Sequence, residues 1–144
     1  MVLTERSRLA VLFATQEARR LGSPVVAPLH MLAGLMLEDE GRAADFLTNH
    51  GVRLEALRAA AAATPGAAPA EGAGDPPLSE VVERAIERAE QEARWLERDH
   101  VGTEHVLLGL LHEAHGEAIR LLLDAGLTES EIRDELVRQA RRRR

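Results

Sequence analysis

The stretch VGTEHVLLGLLHEAHGEAIRLLLDAG, residues 101–126, reads as two helices with a break between them. Val106 to Leu111 is apolar nearly all round, the pattern of a helix buried among others. Gly116 is expected to interrupt that helix, Ala118 to Leu123 to resume, and Gly126 to end the second one. The same stretch recurs 75 residues earlier, as VAPLHMLAGLMLEDEGRAADFLTNHG over residues 26–51. His30, Leu32, Gly34, Leu35, Glu38, Gly41 and Gly51 each meet an identical residue at that offset. Upstream, QEAR at Gln16–Arg19 returns at Gln91–Arg94. Roughly 20 of the 56 positions from Leu3 to Arg58 match their partners without a gap. The sequence is an internal duplication.

Each copy has room for four helices. Val82, Ala85, Ile86, Ala89, Ala93 and Leu96 fall at i, i+3/i+4 spacing and form one apolar stripe. Thr128 and Glu131 stand at capping-box spacing, with Leu127 and Ile132 at the staple positions. No segment alternates with period two. The fold class expected is all-α: about eight helices in two pseudo-symmetric four-helix repeats, packed as one domain. Repeat 1 covers residues 1–63 and repeat 2 covers 78–140. Between them the Pro/Gly/Ala-rich residues 64–77 read as a linker, because Pro and Gly interrupt any helix there. Residues 141–144, all Arg, form a basic tail that reads as a solvated chain end.

Composition excludes several functions. The 144 residues contain no Cys, which removes disulfides, thiolate metal sites and Cys nucleophiles. They contain no Lys, so an ordinary P-loop and Schiff-base chemistry are excluded as well. A net charge of −6 has the wrong sign for a general nucleic-acid binder, and three aromatic residues give little to stack on bases. No apolar run is long enough to span a bilayer, and the N-terminus lacks the basic start and apolar core of a signal peptide. A cytoplasmic protein is expected. No serine sits in a nucleophile elbow and HEAH (112–115) is not HExxH, so neither catalysis, metal nor cofactor is expected.

The GTEH of residues 102–105, followed by LLGLL and repeated at this spacing, resembles the Clp N-terminal (Clp repeat) domain of Hsp100 AAA+ unfoldases. The QEARRLG of the first copy resembles the first helix of the same family. In such unfoldases the domain stands ahead of the ATPase rings, where it receives substrates and docks adaptors. This sequence carries no rings and reads as a stand-alone Clp N-terminal-domain protein. The resemblance implies partners that are protein substrates, adaptors or a Clp AAA+ unfoldase. The protein would be a substrate-binding module or, alternatively, a regulator or decoy that modulates loading.

The resemblance also implies sites for phosphorylated arginine, one per repeat. In the family, a Thr opening the first helix is paired with the Glu of GTEH opening the second. The chemistry suits the ligand: a carboxylate accepts two parallel hydrogen bonds from a guanidinium, and a helix N-terminus favours a phosphate. Carried over, repeat 2 has Ser79 and Glu104, while repeat 1 has Thr4 but Leu29 in place of the Glu. Leu29 accepts no hydrogen bond, so the first site is expected to be lost. Leu3 and Leu78 replace the aromatic residues at which the family docks apolar ligands. Thr103, next to Glu104, is a further ligand-binding candidate, although it reads first as the N-cap of its own helix. His30 and His105 read as buried histidines bonded to backbone. Trp95 is expected to pack on a neighbouring helix, and ERAEQEAR (87–94) to form a solvated face of i, i+4 ion pairs.

Overall fold

A computed structural model describes residues 1–63 and 74–142. Eight helices occur among them: α1 (Glu5–Arg20), α2 (Pro28–Glu38), α3 (Arg42–Asn49), α4 (Leu54–Ala63), α5 (Glu80–Trp95), α6 (Thr103–Glu113), α7 (Glu117–Asp124) and α8 (Glu129–Arg142). Every helix of the second repeat starts 75 residues after its counterpart, as the ungapped alignment requires. Gly116 and Gly126 take positive φ where the chain breaks after α6 and α7. Of the stretch read as a linker, residues 64–73 lie outside the described residues. Pro77 already belongs to the fold, because its carbonyl accepts from Val26 N at 2.8 Å. In the tail, α8 reaches Arg142, and the last two arginines lie outside the described residues.

The helices α2 and α6 are buried nearly all round, as their sequences demand. α1 crosses α2, and α5 crosses α6, at glycines. A Cβ at Gly34 would fall on the Ala10 carbonyl oxygen, and one at Gly109 on that of Ala85. The core fills with small residues on α1 and α5 (Ala10, Ala14, Ala18 against Ala85, Ala89, Ala93) facing leucines from α2 and α6. In each repeat a buried Glu ties the first helix to the last. Glu17 receives Arg58 Nε at 3.0 Å, and Glu92 receives Arg133 Nε at 3.0 Å. The ERAEQEAR face is therefore not wholly solvated: Glu92 is only 3% exposed.

Two features depart from the all-helical expectation. A two-residue strand β1 (Val2–Leu3) runs parallel to β2 (His100–Val101), with Leu3 opposite Val101. A single bridge joins Val26 to Leu78, the same pair of positions with the repeats exchanged. Thr4 N donates to Val101 O at 2.9 Å, and Ser79 N to Val26 O at 3.0 Å. The repeats thus hold each other by swapped edges. Strands of two residues leave no legible alternation in the sequence.

Candidate ligand-binding cleft

The swapped edges decide which helix starts meet. Because Thr4 is bonded to Val101, the start of α1 lies beside the start of α6, not α2. A cleft of about 770 Å³ opens there, lined by Thr4, Arg6 and Leu9 of α1, Arg42 of α3, and Arg98, His100 and Glu104 around β2 and α6. Thr4 and Glu104 come from different repeats and share one cleft. Ser79 does not line it: its bond to Val26 sets it beside the start of α2, where Leu29 stands. The pairing of Ser79 with Glu104 inside one repeat is therefore corrected, and the physical cause is the strand exchange.

Local chemistry fixes each side chain. Thr4 is the N-cap of α1, its Oγ1 accepting from Ser7 N at 3.2 Å, and Ser79 caps α5 by the same contact to Val82 N. Ser7 Oγ, in turn, donates to Val101 O at 2.9 Å and fastens the cap to β2. Glu104 sits in the first turn of α6, where the helix dipole favours a carboxylate. Its Oε2 lies 3.6 Å from Arg42 Nη1, an ion pair longer than a hydrogen bond, and its carboxylate folds over Gly102. A Cβ at position 102 would meet that carboxylate, while Ala27 fills the matching place in front of Leu29. Arg6 is engaged by Glu38 at 3.2 Å and Glu40 at 2.5 Å. Arg42 and Arg98 supply positive charge beside Glu104.

Other expected residues fall differently. Thr103 is not the N-cap of α6; Gly102 is. The Thr103 side chain is 2% exposed and its Oγ1 accepts from Ala43 N at 3.3 Å, capping α3 of the other repeat. Its hydroxyl is committed to the fold. Leu3 and Leu78 are partly buried against the core in the swapped edges. His30 and His105 are buried, with Nδ1 accepting from Ala27 N at 2.9 Å and Gly102 N at 2.8 Å. Burial holds both imidazoles below their ordinary pKa. Trp95 is 64% exposed rather than packed: it lies about a third of a turn off the Val82–Ala85–Ala89–Ala93 stripe. His112 Nδ1 lies 3.0 Å from Glu129, and no group of three metal-ligating side chains converges among the described residues. Sequence reading missed Arg42 and Arg98. Their counterparts are Glu117 and Ser23, so the duplication gave no signal for either.

The family model of the Clp repeat (R) N-terminal domain matches residues 2–125. The chain belongs to the Clp repeat N-terminal domain family. It is 33% identical over 137 residues to a probable ATP-dependent Clp protease ATP-binding subunit of Chlamydia pneumoniae, covering 94% of this chain and 16% of that protein. It is 36% identical over 135 residues to the chloroplastic chaperone protein ClpC1 of Arabidopsis thaliana, covering 94% of this chain and 14% of that protein. The Clp repeat domain here thus spans about one sixth of these relatives. Among solved structures, the N-terminal domain of ClpD from Arabidopsis thaliana superposes with a TM-score of 0.73 at 26% identity, over 96% of this chain and 94% of that one. A ClpV N-domain in complex with a VipB peptide shares the fold, with a TM-score of 0.71 at 19% identity over 91% of this chain and 82% of that one. No helix among the described residues is long and apolar enough to cross a membrane.

Proposed function

We propose that this Clp repeat domain is a non-catalytic polypeptide-binding module whose cleft takes an arginine-phosphorylated side chain of a client protein. The observation that carries the reading is the meeting of Thr4 and Glu104 in one cleft, with Arg42 and Arg98 beside them. Glu104 keeps acceptor capacity for a guanidinium, since its pairing with Arg42 is long. The two arginines and the N-terminus of α1 supply the cationic side that a phosphate needs. A ClpV N-domain of this fold holds a peptide, which supports a polypeptide ligand by analogy of fold alone. Charge-assisted bonds of about 1.5–3 kcal/mol each, less the cost of ordering the peptide, place the affinity at about micromolar.

Calorimetry with a phosphoarginine peptide and its unmodified twin tests the reading. One peptide should bind per chain, and the twin should not. Glu104→Gln should abolish binding and Thr4→Val should weaken it, while Ser79→Ala leaves it unchanged. Loss on Ser79→Ala with Thr4→Val silent would restore the within-repeat pairing. No heat at several hundred micromolar would overturn the ligand and favour docking on a Clp unfoldase or adaptor, for which the exposed Trp95 is the first residue to replace.

A further inference from the structure

The cleft has a counterpart, and the counterpart has changed its chemistry. A groove of about 640 Å³ lies at the same place in the pseudo-symmetric arrangement, between the loop after α1, the end of α4 and the start of α7. Position by position, 75 residues earlier, Arg98 becomes Ser23, Asp99 becomes Pro24, His100 becomes Val25 and Glu104 becomes Leu29. Ala61 and Ala62 close its other wall. The loss of Glu104's equivalent is thus one of four replacements of a charged or imidazole side chain by a smaller or apolar one, rather than damage to one residue.

At one further position the charge is inverted. Where the cleft has Arg42, the groove has Glu117, paired at 3.5 Å with the exposed Arg120, and His115 lies beside it in the lining. The lining contains no arginine to hold a phosphate and no carboxylate at Leu29 to hold a guanidinium. His30, at its floor, is buried with Nδ1 occupied by Ala27 N. What such a surface complements is apolar and carries positive charge at its edge.

We infer that the groove of Pro24, Val25, Leu29 and Ala61 is a second polypeptide-binding site, taking an unphosphorylated apolar segment with a basic residue next to it, placed against Glu117. The domain then reads two different features of a client with two grooves of common origin. Repeat 2's helix start serves the charged one, and repeat 1's helix start serves the apolar one. This site stands independently of the phosphoarginine reading.

The test is a titration of isotope-labelled protein, followed by amide and methyl NMR shifts, with a capped peptide bearing Leu-Val-Leu-Lys. Shifts should concentrate at Val25, Leu29, Ala61 and Ala118, leaving Thr4 and Glu104 unmoved. A twin with Glu for Lys should bind several-fold more weakly, and a twin with Ser for the apolar residues should not bind. The variant Pro24→Asp/Val25→His installs residues that repeat 2 already carries at those backbone positions, so it should fold. It should lower the affinity at least tenfold and leave phosphoarginine-peptide binding as it was. Leu29→Glu, a harsher change at a buried position, should act in the same direction. Shifts elsewhere, or none at millimolar peptide, would overturn the site. Shifts at the groove on concentrating the protein alone would overturn it too, by assigning the face to a second copy of the chain. Failure of the phosphoarginine peptide with success of the apolar one would sink the proposed function and spare this inference.

Discussion

At the scale of single residues, His30 and His105 sit buried at the starts of α2 and α6, each Nδ1 accepting a backbone N–H three residues back. His30 and His105 were legible because the same histidine recurs in two strongly apolar helices, where only a hydrogen-bonded neutral ring is tolerable. A Thr at a helix start signals a local cap, but the partner of Thr103 is Ala43, 60 residues away. The histidines carry a pH prediction. Burial lowers the pKa of both in the folded state, below about 6.5 for a free imidazole. Below that pH the unfolded chain therefore binds more protons than the folded one, so stability falls as pH falls. Above it both states are neutral and the pair contributes no slope. Glu17 and Glu92 act lower down. Burial alone would raise Glu17, but the hydrogen bonds from Arg58 and Arg20 outweigh it; those from Arg133 dominate at Glu92. Both carboxyls end below their ordinary value, and their contribution is lost only as pH falls beneath about 4.3. The urea midpoint should be level from about pH 8 to 7 and decline from about 6.5 to 5. A level midpoint down to pH 5 would show that the rings protonate in place.

At the scale of elements, the duplication made the helices readable and their contacts only partly so. All four helix starts and the first three helix ends fall at the 75-residue offset, and the breaks at Gly41/Gly116 and Gly51/Gly126 are copied with the repeat. The QEAR recurrence exposed Glu17 and Glu92, but only the structure shows Arg58 and Arg133 reaching them from the last helix of each repeat. Those arginines lie 41 residues on, beyond any local spacing rule. The recurring Gly34 and Gly109 are explained by close helix crossings, and this can be tested. In an exposed helix Gly→Ala would gain about 1 kcal/mol from propensity. At Gly109 the new methyl would collide with the Ala85 carbonyl oxygen, a backbone atom that moves only if α5 moves. Overpacking of that kind costs about 1–3 kcal/mol and should prevail. Gly109→Ala is expected to lower the urea midpoint clearly. A raised midpoint would mean that α5 and α6 separate without cost.

At the scale of the whole molecule, what sequence reasoning could not supply was the exchange between halves. The alignment shows two equal repeats but not that the first edge of each lies against the second helix start of the other. That information resides in four residues of strand and one bridge, too short for any periodicity. Yet it decides the composition of the cleft, pairing Thr4 with Glu104 and leaving Ser79 beside Leu29. The same exchange predicts how the molecule folds. A half of about 60 residues buries only about 60% of its unfolded surface and is marginal by itself. Here each half would also lose its partner's edge, leaving Thr4 N or Ser79 N without its carbonyl. Each would in addition expose one side of α2 or α6, helices that need cover all round. Peptides covering 1–63 and 74–144, made separately, should therefore show little helical circular dichroism alone. Mixed in equal amounts they should regain it and melt cooperatively, with a midpoint that rises with concentration. If either peptide folds alone with a sharp transition, each repeat is an autonomous domain. The exchanged edges would then be a late docking contact rather than part of the folding unit.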